Sequence, residues 1–131
     1  MRKSYHLRKP ILDDGRFVYA LRFLDMDVVN SSWSKNIPEI SEHDKYFSEH
    51  CDSYRIIVVD CKRVGFIRIV DGEVSIALVR KHRGKQLGSK VLSDIKEGMA
   101  TVRYGNLASF HCFVNAGFKP VGWIMKKEVR K

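Results

Sequence analysis

Apolar positions along this 131-residue chain change period several times, and each change marks an element. Tyr5–Arg8 alternates briefly and predicts a short first strand. After Pro10, Asp13 and Asp14 are placed to cap a helix. Phe17, Ala20, Leu21, Leu24 and Val28 then recur at helical spacing and give it one apolar stripe. Residues 30–40 are polar, with Trp33 and Pro38, and read as a loop. Ser41 starts a second helix, with Asp44 three residues on as an imperfect capping box. Arg55–Asp60 is continuously apolar through Ile56, Ile57, Val58 and Val59, the pattern of a strand buried on both faces. A turn at Asp60–Arg63 leads to a strand at Val64–Val70. Asp71-Gly72 then separates it from a further strand at Glu73–Val79. An Asp-Gly pair between apolar strands is a strong hairpin signal, so these two strands are expected to pair antiparallel.

Past Val79 the period changes from two to 3.6. A basic, glycine-containing loop, Arg80–Gly88, leads to Leu87, Val91, Leu92 and Ile95 at helical spacing, with Gly98 as the natural stop. Ala100–Arg103 predicts a short strand. Tyr104-Gly105 turns into Asn106, which can cap a helix over Leu107–Ala116 by accepting from the Ser109 N–H. Gly117 ends that helix. Phe118–Pro120 and Gly122–Lys127 predict one bent or two short final strands. The element order is β-α-α-β-β-β-α-β-α-β, within a single domain spanning residues 1–131.

The strand, basic loop and helix start at 73–92 form an arrangement suited to phosphate. The first N–H groups of a helix lack internal partners and sit at the positive end of its dipole. Glycine lets backbone approach an anion closely, and Arg80, Lys81, Arg83, Lys85 and Lys90 add charge. The whole chain carries a formal +9, which suits nucleic acid, an anionic cofactor with a phosphorylated substrate, or general solubility. The basic residues spread out and condense only at Arg80–Lys90 and Lys126–Lys131, which makes nucleic acid the weaker expectation. The apolar fraction of 44% supports a core, but no apolar run reaches membrane-spanning length. Cys51, Cys61 and Cys112 lack paired metal-ligand spacing, so no metal is expected and the thiols read as reduced. The expected location is the cytoplasm.

Two motifs give the anion loop a more specific meaning. Arg83-Gly84-Lys85-Gln86-Leu87-Gly88 resembles motif A of the GCN5-related N-acetyltransferases (GNAT), [Q/R]-x-x-G-x-[G/A], with Gln86 where the family usually has its middle glycine. Downstream, Asn106 to Phe118 resembles the family's N-x-x-[S/A]…[Y/F]…G-F segment. The resemblance covers roughly Arg55 to Lys127. It implies an α/β (α+β) fold, with a mixed, mostly antiparallel sheet, helices on both faces and a splay between strands 4 and 5. It further implies acetyl-CoA as co-substrate and transfer of its acetyl group to the primary amine of a small molecule. On that resemblance Ile76, Ala77 and Leu78 flank the pantetheine arm. The loop Arg83, Gly84, Lys85, Gln86, Leu87 and Gly88, with Ser89, takes the pyrophosphate, and Asn106 and Ser109 touch the arm from the next helix.

The resemblance makes Glu73 the candidate base; its plainer reading is an exposed hairpin carboxylate. Phe113 occupies the position of a tyrosine that reprotonates the thiolate in many members; phenylalanine cannot donate, which leaves His111, Cys112 or Tyr104, near in sequence, or a water as the acid. Trp33 and His43 are the acceptor-side candidates. Trp33 would equally plug the core, and His43 would equally be a rim or capping residue. The run Ser41–Phe47, SEHDKYF, resembles a segment of the branch acylating nucleotide-linked amino sugars, which makes such a sugar the leading acceptor. A homodimer is left open. Two rivals stand beside this reading: acetylation of a macromolecular amine (a protein N-terminus, a lysine or an aminoacyl-tRNA), and a non-catalytic CoA-binding module.

Overall fold

The computed structural model describes residues 5–32 and 36–127, apart from the side chain of Ser31. Four strands, β1 (His6–Arg8), β2 (Tyr54–Val59), β3 (Lys62–Val70) and β4 (Glu73–Leu78), form an antiparallel sheet in the order β1-β2-β3-β4. Both hairpins turn through two residues of positive φ, Asp60 (51°) with Cys61 (64°) and Asp71 (51°) with Gly72 (79°). Such turns match the twist of the strands they join. Gly65 on β3 has no room for a side chain, since a Cβ there would lie 2.3 Å from the Ala77 carbonyl oxygen.

As its continuous apolar run predicts, β2 is buried on both faces. Ile57, with Ile67 and Val74 of the neighbouring strands, packs under α4 (Leu87–Ser93) and α5 (Leu107–Asn115) through Leu87, Val91, Leu92 and Phe113. On the opposite face Tyr54, Ile56, Val58 and Phe66 pack under α1 (Asp14–Tyr19) and α3 (Ile40–His50) through Val18, Leu21 and Phe47. Val91 and Leu92 are fully buried. Burial of such side chains contributes about 1.5–3 kcal/mol each.

The first helical stripe proves to be three pieces. α1 runs into a π-helical turn at Ala20–Leu24, then the chain extends at Asp25 and restarts as α2 (Met26–Ser31). The Asp25 side chain accepts from the N–H groups of Asp27 and Val28 and caps the restart. Asp14 does not cap a helix. Its carboxylate is buried, accepts from the Ile11 N–H at 2.8 Å, and pairs with Arg8 at 2.7 Å and Arg63 at 3.2 Å. α3 begins after Glu39 without a side-chain cap, and Asp44 pairs with Arg16 at 2.9 Å.

Three expected elements are shorter or missing. α4 stops at Ser93, before Gly98. The strand expected at Ala100–Arg103 is reduced to one parallel bridge between Glu73 and Met99. Residues 118–127 form no strand, and Val121, Trp123 and Met125 stand over 90% exposed. Their β-rich composition reports a preference for a pleated surface, but among the described residues no strand pairs with them.

Candidate functional site

The site is built along the free edge of β4. The Val74 N–H donates to the Met99 carbonyl at 2.7 Å, and the Met99 N–H donates to the Gly72 carbonyl at 2.8 Å. No further rung follows among the described residues, so β4 and the segment after residue 99 separate. On the other side the Val79 N–H donates to Val64 of β3 at 2.8 Å. Strand alternation therefore turns the N–H and C=O groups of Ile76 and Leu78 into the opening and those of Ala77 toward β3. The Leu78 carbonyl is already taken by Arg83 Nε at 2.9 Å, which leaves Ile76 as the open rung.

At one end of this opening lies the basic loop. Gln86 adopts a left-handed backbone (φ 65°) directly before α4, the conformation a glycine would hold without strain. Among the described residues the N–H groups of Leu87, Gly88 and Ser89 have no protein acceptor. Gly88 also sets the spacing of α4 and α5, since a Cβ there would sit 2.8 Å from Cys112 Sγ. Ser89 Oγ donates to the Cys112 carbonyl at 3.2 Å. Burial pushes the Cys112 thiol up, only partly offset by Ser89. Asn106 caps α5 as expected, accepting from the Ser109 N–H at 3.3 Å.

Arg83 is held by the protein itself. Its guanidinium donates to Asp25 at 2.6 Å and Asp27 at 3.0 Å, tying the loop to the start of α2. Burial alone would raise the Asp25 carboxyl, but Arg83 and the N–H groups of Val28 and Asp27 hold it below its ordinary value.

A cleft of about 920 Å³ joins these parts. It is lined by Glu73, Ile76, Ala77, Leu78, Arg83, Gly84, Gln86, Leu87, Gly88, Ser89, Asn106 and Ser109, so most of the expected residues are brought together. Glu73 is exposed at its edge and accepts from Thr101 Oγ1 at 2.9 Å. Lys85 is exposed and lies outside the lining. Trp33 lies outside the described residues.

His43, expected on the acceptor side, does not line this cleft but borders the small hollow beside Arg22. Its ring is 3% exposed, packs against Tyr19, Phe23 and Phe47, and its Nε2 lies 3.1 Å from the Gly15 carbonyl. Burial pulls its pKa below the ordinary 6.5. It is a core residue, because α3 turns that position toward α1 and the π-helical turn.

No protein-family model and no curated protein matches the sequence. Solved structures do match. An acetyltransferase of the GNAT family from Bacillus anthracis aligns over 93% of this chain and 84% of its own, with a TM-score of 0.76 and 15% identity. The spermidine N-acetyltransferase of Vibrio cholerae, solved with CoA and spermine, aligns over 92% and 84%, with 0.77 and 15%. The microcin C7 self-immunity acetyltransferase MccE, solved with acetyl-CoA and AMP, aligns over 98% and 86%, with 0.74 and 16%. The chain has the GNAT fold. In that fold the expected α/β class is met: an antiparallel four-stranded sheet, helices on both faces, and an opening beside the fourth strand. Among the described residues no helix is long and apolar enough to cross a membrane.

Several cleft residues escape the sequence reading. Arg22 and Phe23 enter from the π-helical turn, Arg68 from β3, and Arg103 from the segment beyond the bridge. Arg103 donates to the carbonyls of Asn30 and Ser32, both at 2.9 Å. Only Arg68 left a trace in the sequence, as a lone charge inside an otherwise apolar strand.

Proposed function

We propose that this chain is an acetyl-CoA-dependent N-acetyltransferase acting on the primary amine of a small molecule. One observation carries the reading: the open rung of Ile76 and the unpartnered N–H groups of Leu87, Gly88 and Ser89 line the same cleft. A thioester arm with a diphosphate at its far end needs those two features in that relation. The amides at the start of α4 suit the diphosphate, and Gly84, at φ 71° with open space around its Cα, lets the loop curve around it. Arg83 contributes by fixing the loop, since its charge is spent on Asp25 and Asp27.

Acetyl-CoA supplies an activated acyl group when bound. The chain's own residues then have three tasks. Ile76 aligns the arm through its strand groups, and its N–H is the donor for oxygen charge that develops at the carbonyl. Glu73, at the cleft edge, takes the amine proton through water. The walls hold the amine in line with the acyl carbon. The amine nitrogen forms the new bond, the C–S bond breaks, and the thiol leaves with a proton. Phe113 sits in the core against Phe118 and has no proton to give, and we assign the thiolate's proton to water, since a thiol leaving group of this acidity needs no enzyme acid.

MccE was solved with a nucleotide beside acetyl-CoA and the spermidine enzyme with a polyamine beside CoA, so the fold admits ligands of opposite charge next to the cofactor. The nucleotide-linked amino sugar suggested by Ser41–Phe47 belongs to the first kind. The test is thiol release from acetyl-CoA with an amine panel. Release is expected with at least one amine. Glu73→Gln should lower kcat about 100-fold or more while leaving the KM for acetyl-CoA unchanged. CoA binding without release for any amine would instead favour the non-catalytic reading, which the absence of a tyrosine at Phe113 supports.

A further inference from the structure

We propose that Arg22 and Arg68 make the acceptor half of the cleft an anion site, selecting amines that also carry a phosphate or carboxylate and rejecting polycations. The proposal rests on the acetyl-transfer reading for where the amine sits.

The sheet register places the two arginines. On β3 and β4, Arg68 faces Ser75 and Phe66 faces Ala77, so these side chains share the face under the π-helical turn and α3. Glu73 lies two residues from Ser75 on that same face, about 8 Å from Arg68 between Cα positions by strand geometry. Arg22 arrives from above, on the π-helical turn. All of these residues line the one cleft.

What sets the pair apart is its partners. Arg8 and Arg63 pair with Asp14, Arg16 with Asp44, Arg80 with Asp27, and Arg83 with Asp25 and Asp27. Arg22 and Arg68 are half-buried, and neither has a carboxylate within ion-pair distance among the described residues. Instead Arg22 donates to Tyr54 Oη at 3.3 Å, and Arg68 donates to Tyr46 Oη. Nε of Arg68 is buried and has no partner. Tyr54 is itself fully buried, and that burial pushes its phenol up, so it stays neutral and supplies no countercharge. Glu42, in the small hollow beside Arg22, lies beyond ion-pair distance.

A guanidinium withdrawn from water without a countercharge is unfavourable until an anion arrives. The aromatic backing holds both forks in place beforehand: Arg68 lies 5.7 Å from the Tyr46 ring and 5.8 Å from that of Tyr54, and Arg22 lies 4.9 Å from that of Phe23. A planar fork matches phosphate or carboxylate oxygens. The same lining excludes a polycation. It holds four arginines against two carboxylates, and Asp27 is already shared by Arg80 and Arg83. A second ammonium group would find no acid.

The test measures kcat/KM on two matched series: glucosamine, its 6-phosphate and its uronic acid, and 2-aminoethanol, its phosphate and β-alanine, with spermidine as the polycation. The wild type should favour an anionic member over its uncharged parent by about tenfold or more. The phosphate and carboxylate arms show which anion is meant. Arg22→Gln and Arg68→Gln should each erase most of that preference, by raising KM for the anionic members far more than KM for the uncharged parents or for acetyl-CoA. Equal or better turnover of spermidine or of the uncharged parents overturns the proposal, as does a preference that survives both substitutions. Arg22 sits on the π-helical turn outside the sheet, so its variant decides the matter if Arg68→Gln fails to fold. If CoA binds but no amine is acetylated, the acetyl-transfer reading fails separately. Calorimetric binding of glucosamine 6-phosphate then decides the anion site: binding that Arg22→Gln removes supports it, and no binding overturns it.

Discussion

Two kinds of arginine surround this cleft, and their difference separates what holds the molecule together from what is left for a ligand. Arg83, like Arg8 and Arg63, is saturated with carboxylate. Asp14, which Arg8 and Arg63 share, is 1% exposed, and Asp25 and Asp27 join the start of α2 to the end of β4 through Arg83. Arg22 and Arg68 lean on tyrosine hydroxyls. The first group fixes segments far apart in the chain. The second is fixed by its surroundings and keeps its charge unanswered. Proximity to an anion loop is thus a poor guide to which arginine meets a ligand, since Arg83 stands at the head of the loop with its charge already spent.

The contrast is tested first where the largest effect is expected. Asp14→Ala leaves Arg8 without a carboxylate, Arg63 with only Asp13 at 3.5 Å and the Ile11 N–H without its acceptor, and should cost about 3–5 kcal/mol in chemical denaturation. Burial alone would raise the Asp14 carboxyl, but Arg8, the Ile11 N–H and Arg63 hold it below 3.8, as Arg83 does most strongly for Asp25. Both carboxyls are depressed in the folded state. Their contribution is therefore complete above the ordinary carboxylate pKa and is lost as pH falls below about 4 through the folded values. Denaturation midpoints across pH 2–6 should fall steeply at the acid end, and less so for Asp14→Asn. Next, Arg83→Gln should lose about 1–3 kcal/mol and weaken CoA binding as the loop loses its tether. By contrast, Arg68→Gln should change stability by less than about 1 kcal/mol, because an amide can keep the Tyr46 contact while the unanswered charge is removed. Equal losses at Arg83 and Arg68 would erase the distinction. In the opposite direction, Gln86→Gly should gain a few tenths of a kcal/mol, the relief of the left-handed backbone at φ 65° being partly offset by glycine's greater freedom in the unfolded chain.

Much of the frame could be read from sequence because it is locally encoded. The continuous run Ile56–Val59 marked a strand buried on both faces, Asp71-Gly72 marked the hairpin of β3 with β4, and Asn106 capped α5 as its position implied. The expectation that Ile76–Leu78 borders the cleft comes instead from the resemblance to the GNAT family, not from a local signal. What was lost depends on tertiary partners. The stripe from Phe17 to Val28 keeps its helical period across Asp25, so the break there is invisible until Asp25 is seen capping α2 and meeting Arg83, 58 residues away. His43 and Tyr46 sit three residues apart on α3, yet one enters the aromatic core and the other holds Arg68. Helical spacing alone does not say which face is the site. In the same way Val121, Trp123 and Met125 have strand-like composition, yet they stand exposed and pair with no strand among the described residues.

The most direct measurement is backbone amide NMR during titration with acetyl-CoA. Saturable shifts should appear at Ile76, Leu87, Gly88 and Ser89, and stay small at Ala77, whose N–H faces β3. Saturable binding that leaves Ile76 and the start of α4 unmoved, or no binding at all, would contradict the assignment of this cleft to acetyl-CoA.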